Sequence, residues 1–289
     1  FDYVAAQTVD EAVSLLAEKG DQAGVLAGGT DLIVQVREGR RDLSLIVDVK
    51  KIPDVNVLSY DSQNGLQLGA AVPCHRIYGD ATIAQAYPGL MDAFTLVGGI
   101  QIQGRASVGG NLCNSSPAAD TTPTLIVHHA VCIIAGPNGR REVAVEDFCT
   151  GPGQNVLGQG EFLISFRIPA PPANFGAQYQ RFIPRNEMDI AVVGTGSAVV
   201  LSEDKSTITA ARVALGAVAP TPLLVQEAAA ALIGHPVSDD AIAAAAEAAK
   251  AAARPISDMR GTIEQRKHLA GVLTRRTLET AIARAKGEA

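Results

Sequence analysis

The chain has 289 residues, 47% of them hydrophobic, and a formal net charge of −6. It is long and apolar enough to bury a large core in two or three subdomains, and an acidic chain without a basic face is a poor partner for nucleic acid. No run of about 18 apolar residues is present, so no membrane span is expected. No charged-then-apolar leader opens the chain, which predicts a cytoplasmic protein, and Phe1 in place of Met implies that the first translated residues are missing or removed.

The elements follow in chain order. Thr8-Val-Asp-Glu11 is a capping box that opens a helix carrying Val13, Leu15 and Leu16 and closed by Gly20. Val25 to Ala27 reads as a short buried strand running into Gly28-Gly29, and Leu45 to Val49 as another. This β/α alternation predicts a small unit with a mainly parallel sheet. Leu66 to Leu68 alternates as a half-exposed strand, and Pro88 to Val97 has helical spacing. A glycine-rich loop precedes a short buried helix over Thr122–His129, with Pro123 in its first turn. Strands are predicted at Val131–Ile134 and Phe162–Ile168, and Pro169, Pro171 and Pro172 mark a linker. Two paired strands, Ile190–Leu201 and Ile208–Val218, then precede alanine-rich helices near Pro222–Ile233 and Asp239–Ala253. A terminal helix over about Thr262–Lys286 carries an apolar stripe of Leu269, Val272, Leu273, Leu278 and Ile282.

The four cysteines, Cys74, Cys113, Cys132 and Cys149, form no C-x-x-C pair. That argues against an iron–sulfur cluster or structural zinc in this chain and predicts reduced, mostly buried thiols. His128 and His129 are adjacent and point in different directions on a helix, so no metal ligand set is assigned.

Two stretches share one grammar: Val25-Leu-Ala-Gly-Gly-Thr-Asp-Leu32 and Ala106-Ser-Val-Gly-Gly-Asn-Leu112. Glycine after a strand permits positive φ and removes the Cβ that keeps a ligand off the backbone. Successive exposed N–H groups in such a turn form a concave anion site. Ala27-Gly28-Gly29-Thr30-Asp31, with the Thr30 hydroxyl as a further donor, and Ser107-Val-Gly109-Gly110-Asn111 would together suit a diphosphate. Either double glycine alone is also what a tight turn requires. The polar segment Asn111-Leu-Cys-Asn114-Ser-Ser-Pro-Ala-Ala-Asp120 lies in apolar surroundings, and buried polar groups need partners, for which a nucleotide would serve. The sequence lacks G-x-x-x-x-G-K-S/T, a helix-opening G-x-G-x-x-G, G-x-S-x-G and H-E-x-x-H, and no catalytic dyad or nucleophile is assigned.

These loops, with Ser116-Pro-Ala-Ala-Asp120, resemble the FAD-binding medium subunit of the molybdenum hydroxylases, the xanthine dehydrogenase and carbon monoxide dehydrogenase family. Glu161-Phe-Leu-Ile-Ser-Phe-Arg-Ile-Pro169, Arg185-Asn-Glu-Met-Asp-Ile-Ala191, Ala211-Arg-Val-Ala-Leu-Gly-Ala-Val-Ala-Pro220 and Ser257-Asp-Met-Arg260 extend the resemblance over essentially the whole chain in order. It implies an α+β protein: a PCMH/vanillyl-alcohol-oxidase type FAD-binding fold of two α/β subdomains, residues 1–60 and 61–175, and a C-terminal unit, 176–289, of antiparallel sheet and helical bundle.

By the same resemblance, Val25, Leu26, Ala27, Gly28, Gly29, Thr30, Asp31 and Leu32 line the FAD diphosphate, and Ser107, Gly109, Gly110, Asn111 and Asn114 complete that site. Asp120 binds the ribityl or diphosphate region, or caps the helix at Thr122. Leu163 packs near the isoalloxazine ring. Arg181, or its neighbour Gln180, supplies a basic contact where the family usually has Lys. The segment Arg185–Ile190 lies beside the flavin. Cys113 is read as a packing residue.

The implied function is electron transfer within a heterotrimeric oxidoreductase, with the substrate chemistry on a partner subunit: a large partner carries the molybdenum cofactor and a small one carries two 2Fe-2S clusters. The assembly would be a dimer of heterotrimers, and FAD would exchange electrons with NAD, oxygen, a quinone or a ferredoxin. The 4-hydroxybenzoyl-CoA reductase branch carries an inserted cysteine-rich segment that this chain lacks. The alternative reading is a stand-alone PCMH-type flavoprotein oxidase or dehydrogenase.

Overall fold

The computed structural model describes residues 1–289. The first unit begins with β1 (Asp2–Ala5) and α1 (Val9–Lys19). Thr8 Oγ1 caps the helix by accepting from Glu11 N at 3.1 Å, and Glu11 Oε2 reaches one residue further back to accept from Gln7 N at 2.7 Å. β2 (Ala23–Leu26), α2 (Leu32–Arg37) and β3 (Leu45–Asp48) follow. The sheet has the order β1-β3-β2 and is parallel throughout, as the β/α alternation requires.

The second unit is built on a five-stranded sheet. It contains β4 (Leu58–Asp61) and β5 (Gly65–Gly69), then the short helices α3 (Cys74–Tyr78), α4 (Ala81–Ala86), α5 (Pro88–Phe94), α6 (Val108–Cys113) and α7 (Thr121–Val127). β6 (Val131–Gly136) and β7 (Gly139–Ala144) form a hairpin, β8 (Cys149–Gly151) and β9 (Gln154–Asn155) a small ribbon, and β10 (Phe162–Ile168) returns through the middle. The order is β4-β5-β10-β6-β7, with every pairing antiparallel. Five of the seven β10 residues are buried in succession because helices cover one face and the first unit covers the other.

The third unit is a four-stranded antiparallel sheet of β11 (Phe175–Phe182), β12 (Val193–Leu201), β13 (Ile208–Gly216) and β14 (Leu223–Leu224). Behind it pack α8 (Gln226–Ala230), α9 (Asp239–Ala252) and α10 (Ile263–Lys286). α10 lies so close to β11 that a Cβ on Gly176 would stand 2.0 Å from the Ala281 carbonyl oxygen. Of its stripe, Leu273, Leu278 and Ile282 are buried, while Leu269 and Val272 are half-buried at the edge. Arg266 is buried in the same unit and paired: it donates to Asp258 at 2.7 Å, the Val192 carbonyl at 2.8 Å and the Ala217 carbonyl at 3.1 Å.

Several sequence expectations shift. The helix expected at Pro222–Ile233 shrinks to α8, because Leu223–Leu224 pairs with β13 first. The strand expected from Ile190 starts at Val193, and the helix expected at Thr122–His129 runs from Thr121 to Val127. The glycine-rich stretch Val108–Cys113, expected as loop, is helical, with Ser107 Oγ accepting from Gly110 N at 3.1 Å as its N-cap. No helix is long and apolar enough to cross a membrane.

Candidate functional site

A cavity of about 720 Å³ opens between the first two units. That lies within the roughly 300–1,000 Å³ of pockets that hold cofactor-sized ligands. Its inner wall is made by the two double-glycine segments. The first leaves the carboxyl end of parallel strand β2, the side of such a sheet where ligands bind, and leads into α2. The second leads into α6. The segments touch. Arg105 Nε donates to the Gly28 carbonyl at 2.8 Å, and a Cβ on Gly28 would stand 2.1 Å from the Arg105 carbonyl oxygen. Across the same seam Gln35 Nε2 of α2 donates to Asn114 Oδ1 at 3.2 Å.

This wall carries a set of unpartnered backbone donors beside the Asp31 carboxylate. The backbone N–H groups of Gly28, Gly29, Thr30 and Asp31 meet no acceptor within the protein, nor do those of Ser107 and Gly109. Ser107 and Gly109 are buried and line the cavity. Buried N–H groups almost always have partners, so this cluster calls for an acceptor from outside the chain. Gly110 offers the open approach: a Cβ there would meet only Ser107 Oγ, at 3.1 Å. The arrangement fits an anionic, oxygen-rich group such as a diphosphate.

Val25, Ala27, Gly28, Gly29, Thr30, Asp31, Leu32, Ser107, Gly109, Gly110, Asn111, Asn114 and Leu163 all line the cavity. Three expected contacts do not. Leu26 points into a small apolar cluster with Leu32, Leu43 and Ile46, as alternation along β2 dictates. Asp120 and Arg181 form a buried ion pair instead. Asp120 sits at the N-cap position of α7 without capping it. One carboxylate oxygen accepts from Tyr179 Oη at 2.7 Å and the other from Arg181. Burial pushes the Asp120 carboxyl up from its ordinary value, against the pull of Arg181 and the Tyr179 hydrogen bond.

Sequence reasoning missed a further part of the lining: Asn155, Leu157, Gly158, Gln159, Gly160 and Glu161, with Gln35 and Arg41 from the first unit. Glu161 lies in a stretch that carried the family resemblance, but nothing in its local pattern assigned it to the cavity. Cys113 is the only sulfur on the wall, and burial pushes its thiol up to about 12. It is therefore a protonated packing group.

Residues 1–171 match the family model for the FAD binding domain in molybdopterin dehydrogenase, and residues 178–281 match the CO dehydrogenase flavoprotein C-terminal domain. The chain belongs to the FAD-binding flavoprotein family of the molybdopterin dehydrogenases. The xanthine dehydrogenase FAD-binding subunit of Escherichia coli O157:H7 is 30% identical over 287 residues, covering 99% of this chain and 97% of that protein. The carbon monoxide dehydrogenase medium chain of Afipia carboxidovorans is 32% identical over 286 residues, covering 99% and 98%. Among solved structures, carbon monoxide dehydrogenase from Hydrogenophaga pseudoflava superposes with a TM-score of 0.93 at 31% identity, covering 98% of each chain. Quinoline 2-oxidoreductase from Pseudomonas putida 86 gives 0.89 at 28% identity, covering 100% of this chain and 98% of that one.

FAD is thus the cofactor of the family, and the donor-rich cavity fits it. A protein of this family is an oxidoreductase subunit. No histidine or tyrosine lines the cavity; its charged side chains are Asp21, Asp31, Arg41 and Glu161. The wall is equipped to hold and orient a cofactor, which supplies its own redox chemistry.

Proposed function

We propose that this chain is the electron-transfer subunit of a heterotrimeric molybdenum hydroxylase. It passes electrons between the 2Fe-2S clusters of a small partner subunit and an external acceptor, while a large subunit with the molybdenum cofactor handles the substrate. The observation that carries this reading is the set of unpartnered N–H groups at Gly28–Asp31, Ser107 and Gly109, converging on one cavity. In this reading the two glycine segments hold the diphosphate, with Thr30 and Asn111 as side-chain donors, and Leu163 packs against the ring. Asp120 and Arg181 act one layer back, joining α7 to β11 and so fixing the third unit against the second. The segment Arg185–Ile190 lies beside the flavin.

The chain works as three units, 1–60, 61–175 and 176–289; β4 crosses the first boundary and pairs with β5 of the second unit. NAD, oxygen, a quinone or a ferredoxin is the external partner class, and the assembly is a dimer of heterotrimers. A bound flavin exchanges one or two electrons; this chain's own residues bind it, orient it and exclude water from its diphosphate.

The test compares the assembled complex with the chain purified alone, both holding FAD, under anaerobic conditions. Substrate of the molybdenum subunit should bleach the oxidised-flavin absorbance only in the complex that retains the iron–sulfur subunit. Bleaching of the isolated chain by that substrate would contradict the electron-transfer reading and point to a self-contained flavoenzyme.

A further inference from the structure

Part of the cavity lining is a segment without regular structure, residues 156–161, which follows Asn155 at the end of β9 and leads into β10. It is tied down at three places. Asn155 Nδ2 donates to the Cys113 carbonyl at 3.1 Å and to Ser115 Oγ at 3.2 Å, just beyond α6. Gln159 Nε2 donates to the Ala17 carbonyl of α1 at 3.0 Å, and a Cβ on Gly160 would meet Ala17 Cβ at 2.9 Å. The third tie is the densest. Arg141 of β7 reaches Glu161 through Nε at 2.7 Å and through a terminal nitrogen at 2.6 Å, and that nitrogen also donates to the Val156 carbonyl at 2.8 Å. Glu161 further accepts from Gly158 N at 2.7 Å. The segment therefore spans the second glycine segment, the central sheet and the first unit.

Its other contacts are partial: Val156 and Leu157 are half-buried against the core, Gly160 is buried, Gly158 and Gln159 are exposed, and Val156 N donates to the Phe148 carbonyl at 3.0 Å. A segment with few buried apolar contacts opens at low free energy unless its polar ties keep it shut. We propose that Glu161 and Arg141 are positioning residues that clasp residues 156–160 over the cavity and so set how fast the bound cofactor leaves. This rests on the reading of the cavity as the FAD site. The pair is bidentate and charge-assisted, with Glu161 only 19% exposed, which sets it apart from an ordinary surface ion pair. Glu161 is held below the ordinary carboxylate range by the Arg141 hydrogen bond, so both partners are charged at neutral pH.

An internal control is at hand on the same sheet. Arg167 and Glu142 also pair in bidentate fashion, at 2.8 and 2.7 Å, but both are more than half exposed and neither lines the cavity.

The experiment follows the appearance of free-flavin fluorescence after dilution of the full-length, FAD-loaded protein, with thermal midpoints measured alongside. Glu161→Gln and Arg141→Gln should each release FAD about ten-fold faster, the scale of losing one charge-assisted hydrogen bond. The double variant should be no faster than either single one, because the two act as a unit. Arg141→Lys should recover part of the effect, and Glu142→Gln should release FAD at the wild-type rate whatever its thermal midpoint. If Glu161→Gln and Arg141→Gln fold, bind FAD and release it at the wild-type rate, the clasp is wrong. Should either fail to fold, Arg141→Lys decides, since an unchanged release rate there overturns the proposal equally. Failure of the site reading looks different: Gly110→Val would then also keep its FAD.

Discussion

The two double-glycine segments look alike in sequence and are unlike in structure. Gly28-Gly29 sits in an irregular turn between a strand and a helix, and Gly29 has φ of +79°, a conformation that a side chain resists. Gly109-Gly110 sits in the first turn of α6, where any residue can adopt the backbone. Steric demand also differs from glycine to glycine. Gly28 is required by the Arg105 carbonyl, 2.1 Å from its hypothetical Cβ, and Gly109 by the Ala70 carbonyl at 2.4 Å. Both are demands of the protein on itself. Gly110 alone faces open cavity apart from a serine hydroxyl. A glycine pair is therefore not one signal: three of these four positions build the wall, and one admits the ligand.

The largest effect should come from Gly28→Ala. A methyl group against a carbonyl that cannot withdraw would separate the two segments, costing about 3 kcal/mol of stability and most of the FAD; denaturant melts and flavin content check both. Gly110→Val should separate the two properties. The Ser107 hydroxyl can rotate away at the cost of its cap on α6, about 1 kcal/mol, so the fold survives while FAD content falls to a small fraction of one per chain. Full flavin content in this variant would mean that the diphosphate lies elsewhere. Gly29→Ala should cost about 1–2 kcal/mol for its left-handed backbone, with weakened rather than abolished FAD binding, because its Cβ would meet only the movable ends of Ile33 and Leu26. Titration of the apoprotein with FAD measures the difference. Ser107→Ala should be mildest, costing about 1 kcal/mol through the lost N-cap, with FAD stoichiometry retained.

How much of this was legible follows physical lines. α10 and the parallel first sheet could be read because long amphipathic periodicity and β/α alternation are strong local signals. α6 could not. Its sequence, VGGNLC, is six residues with two glycines, and it is helical because Ser107 caps it and the fully buried Leu112 anchors it. β7 was hidden because GRREVA is polar and lies at a sheet edge. In the site, the donor loops were visible because glycine pairs are rare enough to notice. The clasp was not, since Asn155, Gln159 and Glu161 are ordinary loop residues until the fold brings Arg141 and Ala17 to them. Asp120 and Arg181, placed on the cofactor by resemblance, form a buried ion pair with each other and do not line the cavity.

The central claim is that this chain carries FAD in the glycine-lined cavity as part of a metal-bearing complex. It is tested most directly by denaturing the purified native complex and measuring what is released. One FAD per copy of this chain is expected, together with iron and molybdenum from co-purifying subunits. A colourless preparation whose chain also fails to bind added FAD would contradict it.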